Sequence, residues 1–353
     1  MIRHIINSRR SILHALRQLN ELSGGVMTLI VTDDTDTMLG TVTDGDIRRG
    51  MLNGVTLDDA VRSVMHESFL HTRTTDTPMQ RIRTMRHARR RGIRLLPELT
   101  PEGKIAWIHD LSVTQTILPV SAILMAGGKG ERLRPLTLST PKPLLEIGGR
   151  PIIDYNIENL ARCGITDVWV AVKYLAPQLR EYFAEPRHGI IARCVEEKNP
   201  LGTIGAASLV PREEEGDTLV MNSDLLTTID LEEMYLHHVE RKADVTIAAI
   251  PYTVSVPYAI LSTDGTQVKA LEEKPTYSHF ANAGIYIFSN RILNALSPEE
   301  RTDATELIEA AISEGLTVTY YPINGTWIDI GSPADFRHAE ELMKHHRSLT
   351  KNA

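Results

Sequence analysis

Two kinds of residue in this chain are suited to holding a polyphosphate. The first is a small-residue turn, Ala126-Gly127-Gly128-Lys129-Gly130, directly after the apolar run Ala122-Ile123-Leu124-Met125. Small residues at a strand end let backbone N–H groups approach a phosphate without Cβ clashes. The second is fixed positive charge, supplied by Arg132 and by Lys142 between Pro141 and Pro143. The flanking prolines predict an extended segment at Lys142. Two better-known phosphate loops do not fit. A P-loop ends in Gly-Lys-Ser/Thr, whereas Gly130 is followed by Glu131. The dinucleotide fingerprint G-x-G-x-x-G, begun at Gly128, requires a third glycine where Leu133 stands. A glycine turn with two cations at a strand end therefore points to a nucleotide substrate.

The fuller pattern, G-G-x-G-x-R-L-x-P-x-T with P-K-P-L behind it, resembles the sugar-1-phosphate nucleotidyltransferases, which make UDP-, dTDP- and GDP-sugars. The resemblance implies a glycosyltransferase-A-like fold and Mg2+ as cofactor. It places Ala126, Gly127, Gly128 and Gly130 on the nucleotide, Arg132 on the triphosphate and departing pyrophosphate, and Lys142 on the phosphates of one or both substrates. Metal ligands should be carboxylates on strand ends facing the loop. Asp224, after Thr218–Met221, and Asp329, in Trp327-Ile328-Asp329-Ile330-Gly331, are the candidates that the resemblance assigns to Mg2+. Glu272-Glu273-Lys274-Pro275 is similar to the family's E-K-P element, with Glu273 on sugar hydroxyls and Lys274 on the sugar phosphate. Asn282, in an N-A-G-x-Y segment, would also meet the sugar.

Pro200-Leu201-Gly202-Thr203 resembles the family's base loop, where the backbone at Gly202 approaches the ring. Glu197 stands five residues before Gly202, where thymidylyl and uridylyl members tend to carry glutamine. A carboxylate accepts hydrogen bonds and donates none. Guanine offers N1–H and N2–H2 together, whereas uracil and thymine offer one N–H between two acceptors. Glu197 therefore favours GTP, with Glu196 as the alternative inward-pointing carboxylate.

These residues need a scaffold. Strand patterns at Ser121–Ala126, Asp167–Val172, Thr218–Met221 and Val245–Ile250 alternate with helical ones such as Ile153, Ile157 and Leu160. This β-α-β rhythm predicts a three-layer, Rossmann-like mixed sheet, mostly parallel, over residues 119–353. Ligands of such sheets sit at the carboxyl ends of the strands, where the glycine turn and Asp224 both fall. The 353 residues suggest two domains, and 42% hydrophobic content can build both cores. A net charge of -7 gives no general attraction to nucleic acid or to an anionic membrane. No apolar run approaches the roughly 20 residues that span a bilayer, and residues 1–10 lack a secretory core. Cys163 and Cys194 lack metal spacing, so a cytoplasmic location with reduced thiols is expected.

Residues 1–118 read as an internal repeat. One copy runs from a helix-like segment with Ile12, Leu13, Leu16 and Leu19 on one face to Thr28–Val31, a turn at 33–36, and a segment from Leu39 to Arg48. The other runs from Thr77-Pro78 through Ile82, Met85 and Ala88 to Ile93–Pro97, a turn at 101–103, and 104–110. This α+β unit resembles a tandem cystathionine-β-synthase-type (CBS) pair, most specifically in Gly40-x-Val42-Thr43-x-x-Asp46. The resemblance implies that Thr43 and Asp46 hold the ribose and phosphate of an adenine nucleotide, with a purely structural module as the alternative. Eight arginines between Arg73 and Arg94 are expected on a solvated or partner-docking helix face rather than on nucleic acid.

CBS pairs ahead of a nucleotidyltransferase resemble the glucosamine-1-phosphate guanylyltransferases of bacterial legionaminic acid synthesis. GTP and glucosamine 1-phosphate are therefore the expected substrates. Mannose 1-phosphate, a heptose phosphate, or uridylyl or thymidylyl transfer are the alternatives, and a non-catalytic nucleotide sensor is the rival of another class. A homo-oligomer is expected. No hexapeptide repeats follow the segment containing Phe336, Ala339 and Leu342, so a fused β-helix acyltransferase is not expected.

Overall fold

The computed structural model describes residues 2–350. Its contacts divide the chain into two compact units, Met1–Leu118 with Arg162–Gly164, and Pro119–Ala161 with Ile165–Ala353. In the first unit, β1 (Ile5–Asn7) leads to α1 (Ile12–Glu21), β2 (Thr28–Thr32), β3 (Met38–Thr43) and α2 (Asp44–Leu52). The second half repeats the order with β4 (Thr72–Arg73), α3 (Pro78–Arg90), β5 (Leu95–Leu99) and β6 (Ile105–Asp110). Ser11 caps α1, whose Ile12, Ala15 and Leu19 are buried at helical spacing. Thr77 and Gln80 form a capping box on α3, with Pro78 in its first turn and Ile82, Met85 and Ala88 buried.

The two halves share one topology. In each three-stranded sheet the first strand pairs parallel with the second, and the second antiparallel with the third. Each also carries a register shift at the matching place, Val31/Thr32 and Glu98/Leu99. The sequence repeat lacks the leading strand of each copy, because three- and two-residue strands leave no periodicity to read. The second strand of the second copy also begins two residues later than expected, at Leu95. On α3, Arg83 and Arg90 are exposed, but Arg81 turns inward to pair with Glu98 at 2.8 Å, so the arginines do not form one solvated stripe.

The second unit begins with β7 (Val120–Ala126), followed by β8 (Glu146–Ile147), β9 (Arg150–Pro151), α4 (Ile152–Arg162), β10 (Val168–Val172), α5 (Ala176–Tyr182) and β11 (Arg193–Glu196). The chain continues through β12 (Asp217–Asn222), β13 (Leu225–Thr227), α6 (Leu231–Glu240), β14 (Val245–Ser255), β15 (Ile260–Asp264), β16 (Gln267–Glu272) and β17 (Thr276–Ser289). It ends with α7 (Asn290–Asn294), α8 (Ala304–Ser313), β18 (Val318–Pro322), β19 (Trp327–Asp329) and α9 (Pro333–Thr350).

Seven strands form the central sheet in the order β11-β10-β7-β12-β17-β14-β18. Every neighbouring pair is parallel except the two made by β17, which runs antiparallel to both β12 and β14. A mixed, mostly parallel sheet is therefore what the chain forms. Ile123 and Val220 pack with Phe288, Ile292, Leu293 and Ile308 on one face. Ala122 and Leu124 alternate to the other face and are equally buried, as a strand covered on both sides requires. No helix among the described residues is long and apolar enough to cross a membrane.

Candidate active site

Four neighbouring parallel strands end along one line. The residue following each is Glu197 after β11, Lys173 after β10, Gly127 after β7, and Ser223 after β12. The register sets them side by side, since Val172 is opposite both Ala126 and Glu196, and Asn222 is opposite Met125. Together with Gly128, Lys142, Gly202, Asp224 and Arg301 they line a cleft of about 350 Å³.

The glycines of the cradle differ in what holds them. A Cβ on Gly127 would come within 2.7 Å of Glu197 Oε1. Gly130 has φ +60° and starts a short 3-10 turn at Glu131–Leu133, where a Cβ would meet Thr137 Cγ2 at 2.9 Å. Gly128 is the exception, since a Cβ there would meet nothing within 4 Å and its φ lies outside the left-handed region. No internal packing or backbone strain requires glycine at 128. An approaching ligand does supply a reason.

At the other end of the cleft, Lys142 Nζ is ion-paired with Asp224 Oδ2 and lies 3.6 Å from Asp329 Oδ1. The antiparallel pairing of β13 with β19 sets Leu225 opposite Asp329, and Ile330 N–H donates to Asp224 O at 3.2 Å. Asp224 is fixed from below as well: Ser223 Oγ donates to Met125 O at 2.7 Å, and Asn156 Nδ2 to Ser223 O at 3.2 Å. Asp224 Oδ1 is buried without a hydrogen-bond partner among the described residues. Burial raises the Asp329 pKa, the Asp224 charge raises it further, and Lys142 and Arg132 offset part of the rise. Arg132 itself is exposed beside this pair: a Cβ on Gly331 would lie 3.5 Å from both Arg132 Nη2 and Asp329 Oδ2. Lys142 does not sit in an extended stretch. It opens a 3-10 turn, Lys142–Leu144, because proline is tolerated in a first helical turn, and Leu144 N–H donates to Pro141 O at 2.8 Å.

Glu197 is buried, at 8% exposure, and its Oε2 accepts from Leu201 N–H at 3.1 Å. Burial pushes its pKa up, against the Leu201 hydrogen bond and the positive charge of Lys173. Glu196 points the other way and pairs with Arg180 outside the cleft. Gly202, at φ +84°, is pinned against the 301–303 segment, where a Cβ would stand 2.4 Å from Thr302 O. Thr302 O accepts from Ile204 and Gly205 N–H, and Asp303 Oδ1 from Thr203 N–H at 2.9 Å. That clamp brings Arg301 to the cleft.

The sugar-side residues are not gathered as the pattern implied. Glu273 and Lys274 are exposed beside the β15–β16 hairpin and do not line the cleft. The outer halves of β14 and β17 pair with each other beyond the carboxyl ends of β12 and β18, and the exposed hairpin follows β14 there. Asn282 lies nearer, since the turn it begins packs Gly284 against Asn222, a cleft residue, and Asn282 Oδ1 accepts from Gly284 N–H at 2.9 Å. In the first unit Thr43 and Asp46 cap α2. Asp46 Oδ2 accepts from Thr43 N–H at 2.8 Å and Oγ1–H at 2.6 Å, and Asp46 also pairs with Arg49. Thr43, but not Asp46, borders a cavity of about 470 Å³ that His66, Arg91 and Arg94 also line.

Lys173, Arg301 and Ser223 are cleft residues that the motifs did not single out. Lys173 was readable as the first residue past a strand. Arg301 carries no local signal, because only the pairing of 301–303 with 201–205 delivers it.

Residues 121–346 match the model of the nucleotidyl transferase family, so the chain belongs to that family. It is 33% identical over 226 residues to the mannose-1-phosphate guanyltransferase beta-A of Xenopus laevis, covering 62% of this chain and 62% of that protein. It is 31% identical over 229 residues to the mannose-1-phosphate guanyltransferase of Debaryomyces hansenii, again covering 62% of each. The chain thus spans 62% of the length of these relatives. Among solved structures it is similar to a candidate glucose-1-phosphate thymidylyltransferase of Bacillus anthracis, at a TM-score of 0.52 and 22% identity, covering 64% of this chain and 95% of that one. That likeness concerns the fold.

Proposed function

We propose that the protein is a sugar-1-phosphate nucleotidyltransferase that transfers GMP from GTP. The single observation that carries this reading is the convergence of Lys142 with Asp224 and Asp329 at the end of an open glycine turn. In the reaction, a phosphate oxygen of the sugar 1-phosphate forms a bond to the α-phosphorus of GTP. The bond from that phosphorus to the β-phosphate's bridging oxygen breaks, and its electron pair leaves with pyrophosphate. Two anions must be brought together, so positioned cations lower the barrier. Lys142 would lie against the α-phosphate and Arg132 against the departing pyrophosphate, while the turn at 127–130 presents its amides to the triphosphate.

Asp224 and Asp329 would hold Mg2+. The unpartnered buried Oδ1 of Asp224 suits that role, as does a pair of carboxylates, because Mg2+ commonly takes one or two carboxylates and completes its shell with phosphate oxygens and water. When bound, the metal would draw charge off the phosphate oxygens.

Glu197, buried in the cleft, supports guanine as the base. The names of the Xenopus and Debaryomyces relatives put mannose 1-phosphate first among acceptors to try, and the repeat in the first unit keeps glucosamine 1-phosphate beside it. A regulatory adenine nucleotide, if the first unit acts as a CBS-type module, would have the cavity of about 470 Å³ beside Thr43 to occupy. Pyrophosphate release with GTP, Mg2+ and mannose, glucosamine and heptose 1-phosphates tests the activity. Release with at least one acceptor is expected, and Asp224→Ala should abolish it while the fold persists. Silence with every pairing of nucleotide and acceptor would instead favour a nucleotide-binding protein without turnover.

A further inference from the structure

Between Glu197 and Gly127, in register with both, stands a cation whose donors meet no hydrogen-bond acceptor among the described residues. Lys173 lines the cleft, and its Nζ is buried without a hydrogen-bond partner among the described residues. An ammonium carries three donors, and burying them unsatisfied is costly. It is not hydrogen-bonded to Glu197, whose Oε2 is taken by Leu201 N–H. Gly127 leaves the space between the two: a Cβ there would be 2.7 Å from Glu197 Oε1 and 3.4 Å from Lys173 Cβ. Adjacent strands are about 4.8 Å apart, so a carboxylate and an ammonium on successive strand ends are spaced to meet neighbouring atoms of one flat edge once a ligand draws the ammonium out.

We propose that Lys173 is a specificity-determining residue that donates to O6 of guanine, beside Glu197 accepting from N1–H and N2–H2. The inference rests on the guanine reading given above and divides its work between two side chains. Adenine would turn an amino group toward Lys173 and a bare ring nitrogen toward Glu197, two mismatches at once. A pyrimidine could satisfy Lys173 with its 4-oxo group but would set its 2-oxo group against the Glu197 carboxylate. Both side chains thus reject adenine, and Glu197 rejects the 4-oxo pyrimidines.

The test is equilibrium binding of GTP, 6-thio-GTP, ATP and UTP to the wild-type chain and to Lys173→Met and Lys173→Arg, with thermal melting as the check on folding. Sulfur is a weak acceptor, so 6-thio-GTP removes the O6 interaction and keeps the rest of the edge. Wild type should bind GTP about ten- to a hundredfold more tightly than 6-thio-GTP, the scale of one hydrogen bond to a charged group. Lys173→Met should close that gap, and Lys173→Arg, which keeps a cationic donor, should retain part of it. Absence of the gap in wild type, or its survival in Lys173→Met, overturns the role of Lys173 and leaves the guanine reading standing. Wild type binding UTP or ATP as well as GTP overturns the guanine reading itself.

Discussion

Replacing Gly128 by alanine separates the phosphate cradle from the fold more cleanly than any other change in the cleft. A Cβ at 128 meets no atom within 4 Å, and the backbone there is not left-handed, so Gly128→Ala should change folding stability by no more than about 0.5 kcal/mol. The same methyl stands where the turn must approach a triphosphate. Losing one charge-assisted hydrogen bond from a backbone amide is worth about 1.5–3 kcal/mol, or about ten- to a hundredfold in GTP affinity. Gly202→Ala is the matched control. It adds a methyl 2.4 Å from Thr302 O at a φ of +84°, so it should destabilise by at least about 1–3 kcal/mol. The assay is a urea titration and a GTP titration on each variant. A Gly128→Ala protein that melts like wild type and binds GTP equally well would remove the turn from the nucleotide site.

Three further outcomes follow from named contacts. Glu197→Gln should gain stability relative to wild type near neutral pH. Because burial raises the Glu197 pKa, its stabilising contribution is fully present below the ordinary glutamate range and is lost as pH rises through the folded value. The advantage of the uncharged variant should therefore vanish in acid, and a pH-independent difference in melting temperature would contradict the buried, shifted carboxylate. Thr43→Ala should cost about 1 kcal/mol, since it removes the hydroxyl that accepts from Asp46 N–H at the start of α2; thermal unfolding checks it. Asp224→Asn should lower turnover by at least about a hundredfold in the pyrophosphate assay, the scale of losing one positioned charge at a reacting centre.

What could be read from the sequence follows the range of the interactions involved. The glycine turn, the strand before it and Asp224 after β12 are local patterns: apolar runs of four to six residues that end in polar or small ones. Repetition of such runs with helical stretches between them implies parallel strands, and parallel strands bring their carboxyl ends together. The sheet and most of the cleft floor were therefore predictable without any long-range information. Asp329 required more, because only the β13–β19 ladder sets it beside Asp224, and the apolar-polar rhythm of Trp327–Gly331 does not name its partner.

The predicted residues that do not line the cleft are those reached through an antiparallel excursion. Glu273 and Lys274 sit in a segment whose motif fixes residue types but not the path of the backbone. Two long strands, β14 and β17, remain paired past the carboxyl ends of β12 and β18, and the segment between them is exposed. The same β17, once it enters the sheet between β12 and β14, carries Gly284 against Asn222. Asn282 is tied to the cleft through Gly284 and Asn222, whereas no contact ties Lys274 to it among the described residues. Alanine at 282 should therefore raise the KM for sugar phosphate, and an effect of equal size from alanine at 274 would bring the exposed hairpin into the acceptor site as well.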